Sequence, residues 1–264
     1  MSSLDNGIVR VGIDLARGAT ITELAASGGG ANVINTHDLG RMVQQSYYAG
    51  PDNYGDPAPP WTNFPWNPVG AGDRYGNTAT VLEHSNDGTT IYTRTAPLQW
   101  ALRNVPGECV LEQWLSLDGQ TVQARSRLTN DRADRTAYRA YTQELPAVYT
   151  NEPYRRLVAY DGDAPYTSAP LSEHTGQPPA WARFAATEHW AALVDDAGFG
   201  LGVFNAAATQ FLGGFADGPG DAATGYIAPT RDEVLAWNAV YEYAYALVLG
   251  TVEEIRAYAV AHRP

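Results

Sequence analysis

Apolar and polar residues alternate in short runs along nearly the whole chain, and turn residues separate the runs. A period of two belongs to strands, whose successive side chains face opposite ways. It predicts strands at 8–14, 19–25, 41–48, 80–84, 89–96, 108–117, 121–130, 137–145, 156–160, 189–195, 200–204, 210–215, 225–228 and 236–249, the last broken near Ala239. Asp118-Gly119 joins two such runs directly, which is a hairpin signal, and Asn86-Asp87-Gly88 and Asp196-Ala197-Gly198 mark further turns. In 121–129, Val122, Ala124, Ser126 and Leu128 share one face while Gln123, Arg125 and Arg127 share the other, as in a half-buried antiparallel strand. The pattern changes to helical spacing once, at Val252, Ile255, Tyr258 and Ala259, behind the capping box Thr251-Val252-Glu253-Glu254. Many strands, hairpins and one terminal helix imply an all-β fold, a large antiparallel β-sandwich with one C-terminal helix. A single domain over 1–264 is expected; a second would fit only in the turn-dense stretch 151–179.

Composition narrows the function. Hydrophobic residues make up 44% of the 264, enough for a substantial core, while charged residues make up only 17%. The net charge of −12 argues against nucleic acid or anionic membranes as partners. All 17 basic residues are Arg, which excludes Lys Schiff bases, Lys general bases and a phosphate-loop Lys. Cys109 stands alone, so an intrachain disulfide and a Cys-based metal cluster are excluded; its alternation with Leu111, Leu115 and Leu117 reads as core. No apolar run approaches the roughly 18 residues of a membrane span. The first residues lack the flanks of a secretory signal, so a cytoplasmic location is expected, or secretion if a leader has been removed. His84, His174 and His189 are isolated, so no metal and no cofactor are expected, and the acidic turns at 161–163 and 195–196 are weak calcium candidates. Nothing in the composition specifies an oligomeric state, and a homo-oligomer is compatible with it.

The candidate chemistry concentrates in residues 35–77. His37, Asp38 and Arg41 place a proton carrier, a carboxylate and a fixed cation within five residues, and Gly40 permits a tight turn between them. Strand alternation would line up Arg41, Gln45 and Tyr47 on one side, with Tyr48 on the other: bidentate hydrogen-bond donors and rings suited to a sugar or a carboxylate. Trp66 and Asn67, followed by the loop to Asp73, offer a stacking face beside a two-way hydrogen bonder, a pairing that suits sugars. The Pro-rich stretch 51–68 carries Tyr54, Trp61, Phe64 and Trp66, too many large aromatics for an exposed linker, and reads as a long ordered functional loop. Further acids must come from elsewhere. Glu144 is expected at a strand end before Pro146, beside Tyr141 and Gln143. Glu242 alternates with three Tyr on a face of small residues, where it would look into a cavity and hold a raised pKa, or else sit in a structural hydrogen bond.

The segments 32–48, 65–73, 143–149 and 190–204 resemble carbohydrate-active β-sandwich proteins. The pattern Gly18-Ala19-Thr20-Ile21, Leu24, Asn32, Ile34-Asn35, Asp38, Gly40-Arg41 is similar to the start of galactose-mutarotase-like supersandwich domains. The resemblance implies a carbohydrate partner lying across one sheet. The His-bearing strand motif of mutarotases proper is missing, which directs the expectation to the broader superfamily, with its lyases and glycosidases. The leading expectation is a glycoside hydrolase drawing two carboxylates from Asp38, Glu144 and Glu242. The alternatives are a lyase or isomerase with His37 or Tyr48 as base and Arg41 neutralising a uronate, and a non-catalytic glycan-binding domain with a flat aromatic shelf and no buried acid.

Overall fold

A computed structural model describes residues 1–55, 60–174 and 181–264. Among these, two antiparallel sheets of ten and nine strands face each other, with one C-terminal α-helix. The ten-stranded sheet runs in the order Ser2–Asp5, Val9–Asp14, Thr20–Ala26, Val43–Ser46, Tyr141–Thr150, Thr224–Glu233, Gln210–Ala216, Ala182–Ala185, with the short Pro68–Val69 and Leu98–Gln99 branching from Val43–Ser46. The nine-stranded sheet runs Ser172–Glu173, Arg156–Ala159, Trp190–Val194, Phe199–Phe204, Val240–Thr251, Thr121–Asn130, Cys109–Asp118, Thr90–Ala96, Thr80–Asn86.

The core lies between the sheets. Ile21, Val43, Tyr47, Val148, Phe211 and Ile227 of the first meet Ile91, Leu115, Val122, Leu128, Leu201 and Leu247 of the second. Each such side chain removed from water contributes about 1.5–3 kcal/mol. The alternation at Val122, Ala124, Ser126 and Leu128 faces this core, and the hairpin closes with Asp118 opposite Thr121.

The helix Val252–Ala261 begins as its sequence predicts. The Thr251 hydroxyl accepts from the Glu254 amide, and Glu254 accepts from the Thr251 amide. Ile255 and Ala259 pack on Trp190, Val194, Phe204, Ala246 and Val248, on the outer side of the nine-stranded sheet. Gly202 makes room for this contact: a Cβ there would lie 2.3 Å from Ile255. Arg256 pins the helix by donating from Nε and Nη2 to the fully buried Glu188, at 2.9 and 2.7 Å.

Three strand expectations need correction, and two of them shape the site. The run 41–48 pairs only over Val43–Ser46, because Met42 adopts φ +73° and breaks the pleat. Pro146 does not end its strand; Tyr141–Thr150 continues through it. The register shifts between Glu144 and Val148, and this bulge spares the ladder the N–H that proline lacks. The strand at 236–249 starts only at Val240, after a turn over Ala236–Ala239.

Candidate active site

The bulge after Glu144 decides what the ten-stranded sheet presents away from the core. Before it, Thr142 and Glu144 face outward; after it, the outward positions are Ala147 and Tyr149, an odd step later. On the neighbouring strand Gln44 and Ser46 face the same way, and Tyr48 follows. Together they floor a cavity of about 520 Å³.

Aromatic rings form its walls. Trp61 and Phe64, from the long loop, stack edge to face at 4.9 Å, and Trp61 meets Trp100 at 6.0 Å. Trp181, itself 41% exposed, closes another side and lies 5.7 Å from Tyr226. Gly40 allows Trp100 to lie on the turn below it; a Cβ there would stand 2.6 Å from the indole.

Glu144 sits at the floor, half-buried. The Tyr226 hydroxyl donates to its Oε1 at 2.6 Å. Ser46 and Tyr48 also hydrogen-bond the carboxyl, and Asn67 Nδ2 holds Ser46 Oγ at 3.1 Å. Loss of water raises the Glu144 pKa above the ordinary carboxyl range; the three hydroxyl donors oppose this without reversing it. Burial, followed by the charge of Glu144, pushes the Tyr48, Tyr149 and Tyr226 phenols up in turn.

A carboxylate and a cation complete the cavity. Asp38 accepts from the Gly40 amide at 2.8 Å and pairs with Arg41 Nη1 at 3.8 Å. Arg41 lies over the Tyr149 ring at 5.5 Å, and its Nε is buried without a hydrogen-bond partner. Gln44 secures the turn by donating to the carbonyls of Leu39 and Arg41. Among the described residues no cluster of three or more His, Cys, Asp or Glu could hold a metal ion.

No family model and no curated protein matches the chain. Solved structures do. A galactose mutarotase-like protein from Lactobacillus casei superposes with a TM-score of 0.58 at 12% identity, over 94% of this chain and 99% of that one. The fold is that of the galactose mutarotase-like proteins. A second such protein, from Clostridium acetobutylicum, gives 0.55 at 10% identity over 95% of both chains. An α-mannosidase from Enterococcus faecalis gives 0.55 at 12% identity, over 99% of this chain but 31% of its own. The galactose mutarotase-like fold is thus shared here with part of a glycoside hydrolase.

Within that fold, Asp38, Arg41, Tyr48, Asn67 and Glu144 line the cavity together. The other candidate residues lie elsewhere. His37 points to Asp221, 3.7 Å away, and does not line the cavity. Gln45 and Tyr47 turn inward: Tyr47 donates to Gln45 Oε1, and Gln45 donates to the Glu112 carbonyl. The Met42 kink is the reason, since it puts Arg41 on the same side as Gln44 rather than Gln45. Trp66 is buried in the core, under Arg132. Asp73 is fully buried and accepts from the amides of Tyr75, Asn77 and Asn104, which makes it a loop organiser. Gln143 clamps both backbone groups of Tyr48 and so positions that ring from beneath. Tyr141 donates to Asp52 at 2.5 Å and borders an adjoining trough rather than the cavity.

Glu242 requires the largest correction. It lies on the outer face of the nine-stranded sheet, 40% exposed, and pairs with Arg127 at 2.5 Å and Arg125 at 3.6 Å. The alternating tyrosines Tyr243 and Tyr245 take the core side, so Glu242 and Ala244 look to solvent and not into a cavity, while Ala246 on the same face lies under the helix. Sequence reasoning missed Gln44, Ser46, Trp100, Tyr149, Trp181 and Tyr226. The long aromatic loop carrying Trp61 and Phe64 did announce itself; its residues 56–59 lie outside the described residues.

Proposed function

We propose that this chain is a carbohydrate-active enzyme that cleaves a glycosidic bond, with Glu144 as proton donor and Asp38 as the second carboxylate. One observation carries the reading: a half-buried acid with a raised pKa at the floor of an aromatic cavity. A carboxyl whose pKa is raised by burial holds its proton to higher pH than an ordinary one and can deliver it to the departing glycosidic oxygen as the bond from the anomeric carbon breaks. Asp38 would then act on the sugar's other face, either activating water or bonding to the anomeric carbon. The rings supply flat apolar faces for the C–H side of a sugar, and Asn67, Ser46 and Gln44 supply directional partners for its hydroxyls. A desolvated acid at this position supports catalysis over glycan binding alone.

The unpartnered Arg41 Nε favours a second reading, a lyase or isomerase acting on a uronate. Its base would be Tyr48, and burial holds that phenol protonated, which counts against the role. A panel of glycosides, uronates and free sugars, followed by reducing-end release, absorbance of unsaturated product and anomer interconversion, separates these readings. Reducing-end release is the expected result. Saturable binding without turnover in any channel would overturn it in favour of a binding domain.

A further inference from the structure

The strand Tyr141–Thr150 borders more than the aromatic cavity. Its first residues border a second, more open trough of about 450 Å³. The two hollows share two residues, Tyr48 and Glu144. From Thr142 to Tyr149 the strand extends roughly 20 Å at the usual rise, so Glu144 lies between the hollows and belongs to both.

The trough differs in chemistry. Arg139 stacks on the Tyr141 ring at 4.1 Å and reaches Asp52 at 3.3 Å. Thr142 donates to Asp232 at 2.6 Å, and Leu212 lines the same trough. The exposed guanidinium plane of Arg139, backed by the buried Tyr141 ring, beside a hydroxyl, a carboxylate and one aliphatic side chain matches the alternating faces of a pyranose. A general acid that serves a glycosidic bond must stand where two sugar units meet, because its proton goes to the oxygen between them.

We propose that the substrate is a glycan of at least two units that straddles Glu144, one unit in the aromatic cavity and its neighbour in the Arg139–Tyr141 trough. This rests on the hydrolytic reading above. An enzyme handling a lone monosaccharide would need one hollow; here the acid is exposed to two.

The test compares kcat/KM on a disaccharide with kcat/KM on the methyl glycoside of the same sugar, which has no second ring. Arg139→Ala changes an exposed side chain whose loss leaves the core untouched, and Leu212→Trp fills the trough. Either is expected to lower the ratio of disaccharide to methyl glycoside by about tenfold, the scale of a lost hydrogen bond or stacking contact. A ratio equal to wild type in folded Arg139→Ala overturns the two-hollow proposal. Glu144→Gln run alongside keeps the outcomes apart. If it abolishes turnover of both substrates while Arg139→Ala leaves the ratio unchanged, the trough is no subsite and the acid assignment stands. If Glu144→Gln turns over both at wild-type rates, the hydrolytic reading itself falls, and the proposal with it.

Discussion

Removal of the Tyr226 hydroxyl isolates one hydrogen bond to Glu144. In Tyr226→Phe the ring remains packed on Tyr149 at 4.9 Å and Trp181 at 5.7 Å, so the aromatic contacts survive. What is lost is the 2.6 Å bond to Oε1. A hydroxyl donating to a carboxylate favours the charged form, so its removal raises the Glu144 pKa further. Hydrogen bonds to charged groups are worth about 1.5–3 kcal/mol, and about 1.4 kcal/mol corresponds to one pH unit. Ser46 and Tyr48 remain as donors and compensate in part, which puts the expected displacement at about one pH unit and at most two. If protonated Glu144 is the acid, activity falls on the alkaline side as the proton is lost. The alkaline limb of the kcat/KM profile in Tyr226→Phe should therefore move to higher pH, and a carbon NMR titration of the Glu144 carboxyl should move with it. A limb that stays fixed while the carboxyl titration moves would refute the assignment of Glu144 as the acid. A carboxyl titration that moves down would refute the electrostatic account of the pocket.

Other substitutions test separate parts of the structure. Glu144→Gln should be more heat-stable than wild type at pH 7: a carboxyl with a raised folded pKa loses stability as pH rises through that pKa, and the amide does not. Thermal unfolding should show the gap closing as pH falls to about 4, near the ordinary Glu value, and a gap that widens on acidification contradicts the sign. Glu242→Gln should leave turnover at the wild-type level and the denaturant midpoint nearly unchanged, since it breaks an exposed ion pair. Arg256→Met should lower Tm by about 10 °C in calorimetry, because Glu188, 0% exposed, keeps its charge in the core without its partner, at a cost of about 3–5 kcal/mol. A drop of only a degree or two would show that Trp190 and Tyr166, the other donors to Glu188, suffice.

Much of the fold could be read from period-two patterning, because a residue's neighbours two positions away share its face wherever the pleat is regular. Thr121–Asn130 and the capping box at Thr251 are such cases. The site was legible only in part, since it is built where regularity fails. The left-handed Met42 reverses which side of its strand Arg41 joins, and nothing in a Met advertises a positive φ. The bulge beyond Glu144 shifts the outward set from even to odd positions, so Tyr149 could not be assigned by counting. Glu242 misled for a related reason. Small neighbours signal a missing side chain's worth of space, but solvent supplies that space as readily as a cavity does. Trp100 and Trp181 reach the site from loops far from Glu144 in sequence, and their approach is a product of topology.

If Glu144 donates its proton to a glycoside bound in the aromatic cavity, removing that proton must remove turnover and spare binding. Wild type and Glu144→Gln are compared on one glycoside, following turnover and binding on the same samples. The expected result is a loss of turnover of about a hundredfold or more, the usual contribution of a positioned acid, with glycoside affinity retained within a few-fold. Wild-type turnover in a folded Glu144→Gln protein would contradict the account.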